Sequence, residues 1–211
     1  MAFLKLIRYP NLLLLIFMQL LFRYGFLNLQ GITLALTDFQ FGILVLSTAL
    51  IAAAGYIINN IFDKETDLIN NKNVIVGLSI SEEMAYNLYF GTTILGVLGG
   101  FYISNVIEKP SFALLFIVIS GTLYLYASSL KQSLLVGNFI VAILTAVSVL
   151  IIGVFDLLPM VNPENQMHLG LLFKILLDYA LFAFFINFIR EIVKDLEDVK
   201  GAHNLGLNTL P

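Results

Sequence analysis

Six stretches of nearly unbroken apolar residues divide this chain, at roughly 11 to 29, 40 to 62, 84 to 106, 111 to 130, 134 to 157 and 170 to 190, with short polar connections between them. Each approaches the ~20 residues that a helix needs to cross about 30 Å of hydrocarbon. The pattern predicts six transmembrane helices and no soluble domain. Polar punctuation agrees: Asn70, Asn71 and Asn73 follow the second run, Pro110 opens the fourth, and "DLLPMVNPENQ" separates the fifth from the sixth. Within the runs, Ala49, Ala52, Ala53, Ala54 and Gly55 of the second, and the glycines of "LGVLGG" and "VGNF", read as small residues that let helix backbones approach closely in lipid.

Composition sharpens this picture. Among 211 residues, 59% are hydrophobic and 12% charged, and the mean hydropathy is +0.94, which excludes an ordinary soluble protein. The fold class expected is an all-α membrane protein, a transmembrane helical bundle. A removable signal peptide is not expected, because the first run is long and no small-residue cleavage site follows it. Cysteine is absent, so disulfides and thiolate chemistry are excluded.

Placement of charge says more than the net value of -3. With the N-terminus in the cytoplasm, Lys5, Arg8, Lys64, Lys72, Lys131, Arg190, Lys194 and Lys200 fall on the inner side, and only Arg23, Lys109 and Lys174 are left for the other face or for helix interiors. This is the positive-inside asymmetry. It predicts a cytoplasmic N-terminus; the location expected is a prokaryotic inner membrane.

Against that asymmetry stand two acidic segments at the inner ends of the second and sixth runs, "NNIFDKETD" and "REIVKDLED". If the helix continues through the first, Asn59, Asn60, Asp63 and Asp67 share a stripe and Glu65 faces away; in the second, Glu191, Asp195 and Asp198 are spaced i, i+4 and i+7. Like charges about 6 Å apart repel by roughly 3 kcal/mol at an effective dielectric near 20, a cost that a bound cation would remove. Carboxylate and amide oxygens, with histidine only at His168 and His203, suit a hard cation such as Mg²⁺, which prefers a few carboxylates plus substrate phosphate oxygens. A calcium hand is excluded by spacing. A single such cluster reads more simply as solvated carboxylates flanking a membrane helix; two on one face favour a site. Lys131, Arg8, Arg190 and Lys194 share that face and are candidates for holding a diphosphate, with membrane anchoring as their alternative. Asn11 is a candidate for orienting substrate, or for an interhelical hydrogen bond. Asp178, inside the sixth run, is expected to pair with Lys174 in a structural role.

These motifs resemble the UbiA superfamily of intramembrane prenyltransferases. Its first signature, N-D-x-x-D-x-x-x-D, is matched by Asn59, Asn60, Asp63 and Asp67, with Asn60 where Asp is usual; its second is matched by Glu191, Asp195 and Asp198 within "REIVKDLEDVKG", followed by Thr209, Leu210 and Pro211. "LIRYPN" and "YASSLKQSLLVGN" also fit, the latter with Tyr124, Lys131, Gly137 and Asn138, and Lys72 is the one cation where the family carries a basic segment. The wording is most similar to the branch that includes digeranylgeranylglyceryl phosphate synthases.

The resemblance implies a nine-helix fold. Residues 1–211 would hold six of those helices in a single UbiA-type domain, incomplete at its C-terminus. It implies Mg²⁺ held by Asn59, Asn60, Asp63, Asp67, Glu191, Asp195 and Asp198, with Asp63, Asp67, Asp195 and Asp198 catalytic, and substrate contacts from Arg8, Asn11, Lys72, Tyr124, Lys131, Arg190 and Lys194. The implied reaction moves a prenyl group from an isoprenyl diphosphate, geranylgeranyl diphosphate in this branch, to a lipid acceptor such as geranylgeranylglyceryl phosphate. An aromatic quinone precursor is the alternative acceptor. Membrane lipids are expected partners, nucleic acid is not, and oligomeric state is left open. The rival class is a transporter or scaffold binding divalent cations, disfavoured because the acids sit at helix ends instead of at mid-membrane beside broken helices.

Overall fold

The computed structural model describes residues 1–69, 74–133 and 135–197, with backbone alone for Ile69, Gln132 and residues 195–197. Eight α-helices follow one another: α1 (Ala2–Leu6), α2 (Tyr9–Leu20), α3 (Asp38–Phe62), α4 (Lys64–Ile69), α5 (Glu82–Val106), α6 (Ala113–Ser128), α7 (Val136–Asp156) and α8 (Gln166–Glu197). Helix α2 runs on through a π-helical segment, Leu21–Leu27, and a 3₁₀ turn, Asn28–Gln30. Apart from an isolated bridge between Val76 and Ile80, the described residues form no β structure.

All six predicted runs are helical. Five of the long helices are long and apolar enough to cross a membrane. The sixth, α5, is as long as α3 but falls short on apolarity, because its sequence interleaves Glu82, Glu83, Asn87, Thr92 and Thr93 with the apolar positions.

Ends are set locally. Thr37 and Gln40 form a capping box at the start of α3, and Ser81 accepts from the Met84 amide at the start of α5. Helix α8 spans 32 residues, about 48 Å at 1.5 Å per residue, which exceeds the hydrocarbon thickness. Its last turns carry the charged residues Arg190, Glu191 and Lys194.

Helix α3 packs against α5 and α6, α7 packs against α8, and contacts of α2 with both α3 and α7 close a ring of α2, α3, α6 and α7. The approach of α3 to α5 depends on glycine. A methyl at Gly96 would meet Ile51 and the Ser47 carbonyl, and one at Gly100 would overlap the Phe116 ring. One end of the bundle is filled by a core of Phe41, Leu44, Ile103, Phe116, Ile152, Phe155 and Leu176. The other end holds a smaller cluster of Leu6, Ile57, Val76 and Ala85.

Arg23, left by sequence for the outer face or a helix interior, lies in the π-helical segment and is almost fully buried, as is Asp156. They form a salt bridge. Arg23 also donates to the Leu36 carbonyl at 2.6 Å and covers the Phe41 ring at 4.4 Å, while Asp156 Oδ1 accepts from the Leu36 amide at 3.1 Å. The pair ties α2, the start of α3 and the end of α7 together at the filled end. The expected pairing of Lys174 with Asp178 is not formed: both are exposed, and no salt bridge joins them among the described residues. Lysine N-terminal to the acid is the weaker i, i+4 order.

Candidate active site

Helix α3 carries the first acidic cluster to the end of the bundle opposite Arg23. The regular helix stops at Phe62 and Asp63 makes a turn, yet the Asp63 amide bonds the Asn59 carbonyl at 2.9 Å and the Asp67 amide bonds the Asp63 carbonyl at 2.8 Å. The i to i−4 ladder is thus kept across the break into α4. Asn59, Asn60, Asp63 and Asp67 consequently line one cavity, and Glu65 is exposed, as the helical stripe requires.

That cavity has a volume of about 1000 Å³. Its mouth is polar, with Lys5, Arg8, Asp63, Asp67, Lys131, Arg190, Glu191 and Lys194, and its depth is apolar, with Leu15, Met18, Ile51, Phe116, Leu144 and Ile151. Both acidic segments therefore reach a single mouth. Glu191 is 7% exposed. Asp195 lies on the backbone of α8 one turn beyond it; its side chain, together with Lys72 and Asp198, falls outside the described residues.

Basic side chains already meet these carboxylates. Lys131 forms a salt bridge to Asp63, whose other oxygen accepts from Asn59 Nδ2 at 2.6 Å. Glu191 sits between Lys194 at 3.3 Å and Arg190 at 3.6 Å. Lys131 is brought there by a 3₁₀ turn, Leu130–Gln132, packed on Gly137 of α7, where a methyl would lie 2.9 Å from the Lys131 Cα. Arg8 is the joint between α1 and α2, with φ of 48°, and its guanidinium stands 5.3 Å above the Tyr56 ring. Asn11 lines the cavity and donates to the Tyr56 hydroxyl at 3.2 Å, so it makes the interhelical bond and faces the chamber at once.

The oxygens present suit a hard cation. Asn59 Oδ1 is buried without a hydrogen-bond partner, beside the Asp63 carboxylate. A buried amide oxygen left unpaired costs about 1–3 kcal/mol, a penalty that coordination would relieve. Asn60 commits its amide nitrogen to the Tyr56 carbonyl at 2.8 Å and the Leu6 carbonyl at 3.4 Å. Among the described residues no three carboxylate or imidazole side chains converge.

Tyr124 does not line the cavity. It is exposed and packs edge-on to Phe62 with ring centroids 5.9 Å apart, whereas Tyr126 lines the chamber. Sequence reasoning passed over Tyr56 and Asn187, which also line it. Each stands one helical turn before a motif residue, Tyr56 before Asn60 and Asn187 before Glu191, so extending the two stripes by a turn would have found them.

Comparison with known proteins agrees with this geometry. The UbiA prenyltransferase family matches residues 12–211. Digeranylgeranylglyceryl phosphate synthase of Sulfolobus acidocaldarius is 35% identical over 168 residues, covering 79% of this chain and 54% of its own length. The enzyme of that name from Saccharolobus solfataricus is 32% identical over 186 residues, covering 88% and 57%. A solved structure concerned with digeranylgeranylglyceryl phosphate synthase in membranes superposes with a TM-score of 0.68 at 26% identity, covering all of this chain and 67% of that one. The chain spans about half the length of the curated relatives it matches. With this family match over nearly the whole sequence, the helical bundle and the shared mouth of the two acidic segments, the chain belongs to the UbiA prenyltransferase family.

Proposed function

We propose that this protein transfers a prenyl group from an isoprenyl diphosphate, geranylgeranyl diphosphate being the expected donor, to a lipid alcohol of the geranylgeranylglyceryl phosphate type. The observation that carries this reading is the form of the cavity. A mouth of carboxylates, amides and amines opens onto an apolar chamber, which suits a ligand with an anionic head and a hydrocarbon tail. The relatives named digeranylgeranylglyceryl phosphate synthase support the same acceptor class. An aromatic acceptor would need only the cations that hold the donor. Lys5, which lines the same mouth beyond the cations assigned to the diphosphate, favours an acceptor with a phosphate of its own.

In this reading Asn59, Asp63 and Asp67 hold one Mg²⁺, with Asn60 beside them, and Asp195, Asp198 and Glu191 hold another. When bound, the metal supplies Lewis-acid stabilisation of the departing diphosphate. Lys131, Arg8, Lys72, Arg190 and Lys194 neutralise its remaining charge, and Asn11 and Tyr56 position the first isoprene unit below them. The allylic C–O bond breaks with its electron pair leaving on the diphosphate. The acceptor hydroxyl oxygen bonds to that carbon and releases its proton to water at the mouth. Residues 1–211 are read as one domain in a prokaryotic inner membrane, with the N-terminus and the mouth cytoplasmic, consistent with Lys5, Arg8, Lys131, Arg190 and Lys194 gathering at that end.

Membranes containing the protein should transfer label from geranylgeranyl diphosphate to a lipid acceptor only when Mg²⁺ is present, and Asp63→Asn should abolish transfer. Undiminished transfer by that variant would refute the metal role.

A further inference from the structure

The end of the cavity farthest from its polar mouth is built from side chains packed from behind. Thr48 of α3, Phe116 of α6 and Ile151 of α7 line it there. Each lies fifteen residues from a position at the mouth end of its own segment, Asp63, Lys131 and Val136 respectively. Along α3 and α7 that is about 22 Å at 1.5 Å per residue, whereas α6 ends at Ser128 and Lys131 follows in a 3₁₀ turn. Three separate helices thus contribute residues at the level farthest from the mouth.

Behind that level the packing is continuous. Phe116 is 1% exposed, its ring fills the gap left by Gly100 of α5, and the Phe155 ring stands edge-on at 5.5 Å. Gln19, equally buried, donates to the Ser148 carbonyl at 3.2 Å and accepts from Thr48 Oγ1 at 2.9 Å, locking α2, α3 and α7 together at the same depth. The buried Arg23–Asp156 pair closes the bundle further out.

We propose that Phe116, wedged between Gly100 and Phe155, is the depth stop that sets the longest prenyl tail this protein accepts. This rests on reading the cavity as the donor site. A tail longer than the chamber must displace a ring that has no free volume behind it, and even one surplus methylene in a full pocket is worth about 10- to 200-fold in discrimination. The competing path is sideways. Leu14 lines the cavity yet is exposed on the outer surface of α2, so a tail could leave there for lipid without reaching the floor.

The test is equilibrium binding to the protein in lipid nanodiscs with Mg²⁺, using inorganic pyrophosphate and the geranyl, farnesyl, geranylgeranyl and geranylfarnesyl diphosphates. Affinity should rise with length and then fall by about tenfold or more at the first tail that overruns the floor. Phe116→Ala should move that break to a longer tail. Gly100→Ala, which pushes the ring toward the cavity without itself lining it, should move the break to a shorter one. If Phe116→Ala folds poorly, Gly100→Ala alone decides. A break unmoved by either variant, or affinities that never fall with length, would overturn the depth stop and favour the exit at Leu14. Failure to bind every probe, pyrophosphate included, would instead overturn the reading of the mouth, and the depth stop with it.

Discussion

Asp63 is the residue on which the mouth converges, since it ends α3, accepts from Asn59 and carries the ammonium of Lys131. A side-chain cation and a metal ion would compete for the same carboxylate. Lys131→Met should therefore tighten Mg²⁺ binding, measured by titration calorimetry, while slowing transfer by about a hundredfold through loss of a charge that stabilises the leaving group. Weaker Mg²⁺ binding by the variant would show that the two cations do not compete. Asn59, Asp63, Asp67 and Lys131 were legible as candidates because helical periodicity and one-sided charge mark them. That Lys131 meets Asp63 was not, since 68 residues separate them and only packing brings them together.

At the scale of elements, glycine decides where two segments can touch. Sequence read the glycines of "LGVLGG" and "VGNF" as close-packing positions, and Gly96 and Gly100 do admit α3 and Phe116 to the surface of α5. Gly137 has a more particular partner, because it receives the backbone of the turn that presents Lys131. Gly137→Ala should cost about 1–3 kcal/mol by overpacking, seen as a lower Tm, and should reduce transfer further by displacing Lys131. Gly121→Ala, on α6 with nothing within 4 Å of the added methyl, is the control and should match or exceed the wild-type Tm. Equal losses of transfer in the two variants would deny Gly137 any role in placing Lys131.

Across the whole molecule the two ends divide the work. The mouth gathers charged side chains around a chamber, and the far end is packed with apolar side chains and clamped by Arg23 and Asp156. Breaking a buried ion pair by removing one partner costs about 3–5 kcal/mol, because the other charge is left uncompensated. Asp156→Ala should therefore lower the unfolding midpoint sharply in detergent while leaving pyrophosphate affinity at the mouth nearly unchanged in the folded fraction. The double variant Arg23→Met with Asp156→Leu should recover much of the stability, since neither charge then remains buried. No recovery would point to the bonds with the Leu36 backbone as the main contribution.

The sequence alone determined the membrane character, the helical runs and the shared face of the acidic segments, because apolar length and helical period are properties of neighbouring residues. It also carried the motifs by which the family resemblance was seen. Tertiary structure decided which cations meet which carboxylates, that Tyr126 and not Tyr124 lines the chamber, that Arg23 is buried against Asp156, and where the chamber stops. These depend on how helices distant in sequence rotate and approach one another, and a one-dimensional period says which face of a helix is alike but not which neighbour that face will meet.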